Sequence, residues 1–166
     1  IDIKNSQKNY VILRLGSVCG YYSTDTMRIN IMPNLFSKIA SQNGTINLFA
    51  GGKQIKSIVP LIDVVRCMKF MEEKENIKKE TFNLVKEIVT VKEVAEICKK
   101  YNPKVTVKIT DDEIPNLGYT LSNKKLLKTG FKFLYNLDEC ISEMIQKWSF
   151  TKNEKDLEYK VRGEKE

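Results

Sequence analysis

A chain of 166 residues, 42% of them hydrophobic and 30% charged, has room for one ordinary domain with its own core. The formal charge is +7 and there is no histidine, which excludes Ser-His-Asp hydrolysis, histidine acid–base chemistry and most catalytic zinc sites within these residues. No apolar run approaches the roughly 18 residues of a membrane span and no signal peptide is read, so the expectation is a cytoplasmic protein.

In chain order, Val11 to Leu15 reads as a buried strand covered on both faces. It runs into a loop in which Gly16 and Gly20 let the backbone turn and approach something closely. Asn30 to Ala40 is predicted as a helix, with Ile31, Leu35, Phe36 and Ile39 at helical spacing, Pro33 in the first turn and Asn43-Gly44 as its stop. A strand over Thr45 to Phe49, a turn over Ala50 to Gln54 and a strand over Ile55 to Val59 follow. Leu61 to Met71 reads as an amphipathic helix with Leu61, Val64, Val65, Met68 and Met71 on its apolar face.

After a charged connector, Glu72 to Lys79, comes a strand over Thr81 to Val85. Thr90 with Glu93 is a capping-box signal for a helix burying Val91, Val94, Ala95 and Cys98. Val105 to Ile109 alternates as a half-exposed strand. A short helix over Asn123 to Thr129 starts at Ser122 and stops at Gly130. Asn136 with Glu139 opens a helix burying Leu137, Ile141, Met144, Ile145 and Trp148. Thr151 to Glu166 reads as a charged tail after a folded region over 1–150. Alternating strands and helices give the class α/β.

The four cysteines, Cys19, Cys67, Cys98 and Cys140, form no C-x-x-C pair, so reduced thiols are expected and a structural metal is not. Among the basic residues only Arg14, Arg28, Arg66 and Arg162 are arginines, and the lysines are scattered. A nucleic-acid partner is therefore the weaker reading of the charge, which fits solvated faces. Gly20 and the Gly51-Gly52 turn are places where backbone could approach a ligand or simply turn. Neither forms a G-x-G-x-x-G or a Walker loop, so no phosphate-binding fingerprint is present.

The order of blocks from Tyr10 to Trp148 resembles the C-terminal portion of extended short-chain dehydrogenase/reductases, the NAD(P)-dependent epimerase/dehydratase family that modifies sugar nucleotides. Arg14, Val18 and Gly20 match the family's R-x-x-N-V-x-G pattern. The block Gly52-Lys-Gln-Ile-Lys-Ser-Ile-Val-Pro-Leu-Ile-Asp-Val64 resembles G-x-x-x-R-D-x-x-x-V-x-D-V. The segment Tyr119 to Phe133 resembles the D-x-S-K…L-G-W/F-x-P segment near the family's C-terminus.

The resemblance implies the last parallel strands of a Rossmann-type fold interleaved with a smaller α/β substrate-binding domain. It places Leu15, Gly16, Ser17 and Val18 along the nicotinamide of NAD or NADP, and Ser17, Asn30, Asn47, Phe49 and Lys56 around a nucleotide-sugar substrate. Ser17 stands where many members carry an asparagine, and Lys56 where they carry a pyrophosphate-clamping arginine. Lysine keeps the charge and loses the bidentate fork. Local readings stand beside these: Ser17 bonded to nearby backbone, Asn30 as a helix cap, Phe49 as core. Asp63 falls on a near-constant aspartate and is read as structural, complementing the first-turn amides of its helix.

Thr110-Asp-Asp-Glu-Ile-Pro115 is acidic where many members place a second phosphate-binding arginine, a departure that disfavours a standard pyrophosphate site. Only nine residues precede Tyr10, and the family's catalytic Tyr-x-x-x-Lys and dinucleotide loop do not occur in these residues. The expectation is a C-terminal substrate-binding part that carries no catalytic residue and is inactive alone, with the cofactor held mainly by an N-terminal part. A homodimer of the parent protein is left open. The alternative is a non-catalytic binding or interaction module on the same scaffold.

Overall fold

The computed structural model describes residues 3–5, 7–22, 28–112 and 117–150, and the element order alternates as the periodicities require. Strands β1 (Val11–Leu15) and β2 (Ser17–Cys19) lead to helix α1 (Met32–Ser41) and strand β3 (Thr45–Phe49). Then come β4 (Ile55–Pro60), α2 (Leu61–Glu72), β5 (Glu80–Leu84), β6 (Glu87–Thr90), α3 (Val91–Tyr101) and β7 (Thr106–Thr110). The chain closes with α4 (Lys124–Leu127) and α5 (Leu137–Trp148); the charged stretch from residue 151 lies outside the described residues.

The strands form three small sheets. β1 pairs in parallel with β5, level at Leu15 and Leu84. β2 pairs in parallel with β4, which pairs in antiparallel with β6, while β3 pairs in parallel with β7. The larger core joins α1, α3 and α5 to the inner faces of β3 and β4, with Leu35, Phe36, Ile46, Ile58, Ile141 and Met144 among its buried members. A smaller core lies between α2, β5 and the Phe131 segment, where the Phe131 ring meets Phe70 at 5.5 Å and Phe133 at 5.1 Å. Each fully buried aliphatic or aromatic side chain contributes about 1.5–3 kcal/mol relative to exposure, so the larger core dominates.

Several local expectations change. β1 is only half-covered, with Arg14 and Leu15 exposed, because β5 is its one strand partner among the described residues. The loop after Gly16 contains a strand, β2, and a further strand, β6, precedes the Thr90 cap. The buried positions of α2 are Asp63, Val64, Cys67 and Met71, whereas Val65 and Met68 are 57% and 52% exposed. Asn30 does not cap α1, whose N-cap is Ile31 without a side-chain bond. At the far end of α1, Asn43 takes the left-handed conformation (φ 56°), and the Gly44 N–H donates to the Ile39 carbonyl.

The box at α3 forms in full. The Thr90 Oγ1 accepts from the Glu93 N–H at 3.2 Å, and the Glu93 carboxylate accepts from the Thr90 N–H at 2.6 Å. Thr90→Ala is expected to cost about 1 kcal/mol by urea unfolding at neutral pH. The Thr90 N–H, and then its hydroxyl, hold the Glu93 carboxyl below its ordinary range. Because the folded value is the depressed one, this contribution is present above the ordinary carboxylate pKa and is lost as pH falls through the folded value. The backbone donor survives in Thr90→Ala, so only the part of the difference that comes from the hydroxyl's bond to the carboxylate should be lost on acidification, and a gap that widens at low pH would contradict the box.

Candidate functional site

The candidate site is organised by the way the chain changes sheets at Gly16. Up to Leu15 the backbone pairs with β5, and the Gly16 N–H still donates to the Leu84 carbonyl at 3.1 Å. From Ser17 onward it pairs with β4, Ser17 lying level with Ile58. A second stitch closes the same corner, the Lys86 N–H donating to the Ile58 carbonyl at 2.8 Å. A Cβ on Gly16 would stand 2.6 Å from the Ser57 carbonyl oxygen and 3.1 Å from Val85 Cγ2. The close approach read from this glycine is thus an approach to the chain's own strand β4.

That crossover puts Ser17 on the sheet face that also carries Lys56, with the fully buried Ile58 between them. Paired residues of parallel strands share a face, and alternate residues along a strand do too. Ser17, Ile58 and Lys56 therefore lie on one face of the sheet, with Lys56 about 7 Å from Ile58 along the strand. Both Ser17 and Lys56 are half-buried. On the opposite face, buried Ser57 accepts from the Leu121 N–H at 3.1 Å, and the Ile55 N–H donates to the Leu117 carbonyl at 2.7 Å. The Leu117–Leu121 segment is thereby laid along β4.

The other candidate residues lie on neighbouring elements. Val18 packs toward the smaller core, and Leu15, 41% exposed, ends β1. Asn47 is exposed on β3 opposite Lys108, and half-buried Phe49 sits opposite Thr110. Phe49 connects to β4 through Ala50, Gly51 and Gly52, all at positive φ (46°, 66° and 70°), so this turn carries the strand end to Lys56. A Cβ on Gly52 would meet the Lys92 amide nitrogen at 2.9 Å, so this close approach is again internal. Asn30 occupies an exposed turn before α1.

Asn34 and Gln54 at this corner were not singled out by sequence reasoning. Buried Asn34 on α1 accepts the Gly20 N–H on its Oδ1 at 3.2 Å and so holds the end of the Ser17–Gly20 segment. A polar residue inside the apolar face of a helix was the signal available for it. Among the described residues Gln54 Oε1 and Thr110 Oγ1 are buried without hydrogen-bond partners, next to the segments that carry Lys56 and Phe49. Asp111 and Asp112 are exposed just beyond β7, and Glu113 to Asn116 lie outside the described residues.

Asp63 has a structural role with more partners than the sequence indicates. It is fully buried, bonded to Arg66, and accepts the Leu134 N–H at 3.2 Å and the Tyr135 N–H at 3.0 Å. It sits in the first turn of α2, where its charge complements the helix amides, and it also ties α2 to the segment that enters α5. Among the described residues no group of His, Cys, Asp or Glu is arranged to hold a metal ion, and no helix is long and apolar enough to cross a membrane. A cleft of about 540 Å³ opens at the other end of β1, lined by Tyr10, Val11, Leu13, Met68, Met71 and Ile77, away from Ser17 and Lys56.

No protein-family model and no curated protein sequence matches the chain. Solved structures do. UDP-glucose 4-epimerase from Thermotoga maritima, solved with UDP-glucose, is similar at a TM-score of 0.70 and 18% identity, over 83% of this chain and 45% of that one. UDP-glucose 4-epimerase from Thermus thermophilus, in complex with NAD, gives 0.70 and 18% identity over 86% and 47%. dTDP-glucose 4,6-dehydratase from Bacillus anthracis, in complex with NAD, gives 0.68 and 15% identity over 83% and 43%. The chain spans less than half the length of each of these three structures. The fold is that of part of these epimerase and dehydratase structures.

Proposed function

We propose that these residues are the C-terminal, substrate-holding part of an NAD(P)-dependent enzyme that acts on nucleotide sugars, a cytoplasmic epimerase, dehydratase or reductase. In this reading β1 and β5 are the last Rossmann strands, interleaved with a smaller substrate domain. The observation that carries it is the juxtaposition of Ser17 and Lys56, created by the crossover at Gly16. A hydroxyl that can donate and accept lies on the same sheet face as an ammonium group, a pairing suited to the oxygens of a pyrophosphate. The Gln54 Oε1 and Thr110 Oγ1 atoms would receive donor groups of the ligand.

The nicotinamide cofactor would supply hydride exchange at a sugar carbon. This chain's residues would contribute one wall to it, with half-exposed Leu15 and the Gly16–Val18 backbone at the crossover. With no glycine-rich dinucleotide loop in the sequence, they do not fit a pyrophosphate site for that cofactor by themselves. The open edge of β1 and the exposed Val65 and Met68 of α2 support a neighbouring layer that carries the remaining machinery, including the tyrosine–lysine acid–base pair. Four buried free thiols support a reducing compartment. The exposed Asp111 and Asp112 favour the second reading, a non-catalytic binding module on this scaffold.

A thermal-shift titration of the parent protein with UDP- and dTDP-sugars, with NAD present, tests the reading. At least one nucleotide sugar should raise Tm. Lys56→Ala should weaken its apparent affinity roughly 10- to 100-fold, the loss of one charged contact, while leaving the unliganded Tm in place. A shift retained in the variant removes Lys56 from the site. Silence toward every nucleotide sugar overturns the proposal, and binding without turnover selects the second reading.

A further inference from the structure

Helix α1 is buried along nearly its whole length, from Met32 to Ala40 without a break. Three of those positions are polar, with Asn34 3% exposed, Ser37 fully enclosed and Lys38 4% exposed. The Ser37 hydroxyl donates to the Pro33 carbonyl of its own helix at 2.7 Å, and the Lys38 ammonium lies 5.7 Å from the centre of the Trp148 ring. Asn34 reaches instead to backbone outside the helix: its Oδ1 accepts from the Gly20 N–H, 14 residues earlier, at 3.2 Å. An amide desolvated on an apolar helix face is unfavourable unless it is bonded, and here the bond is to the residue that follows β2.

That strand has little else to hold it. β2 is three residues long, level with Ile58, Val59 and Pro60 of β4, and Pro60 has no N–H to give the ladder at its last rung. Its two ends are fixed by glycine amides. At one end the Gly16 N–H donates to the Leu84 carbonyl at 3.1 Å, and at the other the Gly20 N–H donates to Asn34. A Cβ on Gly20 would stand 3.0 Å from Leu61 Cβ, so this residue is wedged between α1 and the first residue of α2. Ser17 lies between the two amide anchors.

We propose that Asn34 is a positioning residue for the nucleotide sugar: by holding the Gly20 N–H it fixes Ser17 on the sheet face that carries Lys56, so that one ligand reaches both. The proposal rests on the reading of Ser17 and Lys56 as substrate contacts. Asn34 itself is too deeply buried to meet the ligand and acts through the three-residue strand. It also ties that strand to the turn before α1, because Asn30 lies four residues upstream of it. With the acceptor removed, the Gly20 N–H loses its partner in a partly buried corner and β2 is anchored only at Gly16. The loss falls on Ser17, whose position depends on β2, and spares Lys56, which is paired with Val89 of β6.

The test titrates the parent protein, with NAD present, against the UDP- or dTDP-sugar that raises the wild-type Tm most, and compares affinities across variants. Asn34→Leu, of similar volume and without the acceptor, should weaken binding roughly 3- to 10-fold. Asn34→Asp keeps the Oδ acceptor, and in the first turn of α1 its charge is favoured by the helix dipole, so it should bind within about twofold of wild type. Ser17→Ala should weaken binding in the wild-type background and add nothing in Asn34→Leu, whereas Lys56→Ala should weaken binding in both backgrounds by the same factor. General loosening of the fold does not produce that split. If Asn34→Leu does not fold, hydrogen exchange of the wild type decides: the Gly20 amide should be protected, and more so with the ligand bound. Full affinity in Asn34→Leu, an equal loss in Asn34→Asp, effects of Asn34→Leu and Ser17→Ala that multiply, or a Gly20 amide without protection would each overturn the proposal. A wild type that binds none of these sugars would overturn the reading of Ser17 and Lys56 and this proposal with it.

Discussion

Asp63→Ala is expected to remove about 3–4 kcal/mol of stability, the largest single-residue effect argued for this chain. The carboxylate is fully buried and has three partners: Arg66 on its own helix and the backbone N–H groups of Leu134 and Tyr135. Truncation strands two amide donors in a partly buried corner and leaves Arg66 without its counter-charge. An unmet buried donor costs about 1–3 kcal/mol, and breaking a buried ion pair from one side costs about 3–5 kcal/mol. Arg66 is 34% exposed and also donates to the Lys132 carbonyl at 3.0 Å, so it can rehydrate, which sets the total at the lower part of the combined range.

The same geometry orders a small series. Asp63→Asn keeps an acceptor and loses the charge, so its cost should be about half. Arg66→Ala leaves both amides satisfied but strips the buried carboxylate of its counter-charge, so it should cost about 2 kcal/mol, less than Asp63→Ala. Urea unfolding of the three variants checks the ranking. An Asp63→Ala cost under about 1 kcal/mol, or Arg66→Ala exceeding it, would mean that the ion pair rather than the backbone docking sets the role of this residue.

The sequence disclosed its helices better than its sheets, for a physical reason. Helix ends are written locally. Thr90 with Glu93 forms the full box, and of the box read at Asn136 and Glu139 the half in which Asn136 accepts the Glu139 N–H forms, because these partners lie within one turn. Strand cover is not local. Val11 to Leu15 has the composition of a strand buried on both faces, yet which face is covered depends on segments far away, and Leu15 is exposed. The same holds for α2. Val65 and Met68 are as apolar as Val64 and Met71, and only the packing of β5 and the Phe131 segment decides which pair is buried.

The candidate site shows the same division. The motif positions Ser17 and Lys56 could be picked out one by one, and their common sheet face follows only from the β2–β4 register. Asn34 carried one signal, a polar residue on the apolar face of its helix, but its partner, the Gly20 N–H, comes only from tertiary packing.

Gly16→Ala is expected to cost about 2–3 kcal/mol, near the upper end for overpacking, although it adds a single methyl group. The new carbon would stand 2.6 Å from the Ser57 oxygen and 3.0 Å from its carbonyl carbon. These are backbone atoms, so no rotamer change relieves the clash; β2 and β4 must separate. Separation weakens the Gly16 to Leu84 and Lys86 to Ile58 hydrogen bonds that close this corner. Gly51→Ala is the control. Its φ is 66° with nothing within 4 Å of the added carbon, so its cost is conformational alone, about 1 kcal/mol. The pair separates crowding from backbone strain by urea unfolding. It also reports on the site, because pushing β2 from β4 moves Ser17 away from Lys56. Nucleotide-sugar stabilisation should fall in Gly16→Ala and survive in Gly51→Ala. Equal costs, or a larger cost for Gly51→Ala, would show that the crossover at Gly16 is not the tight junction that aligns Ser17 with Lys56.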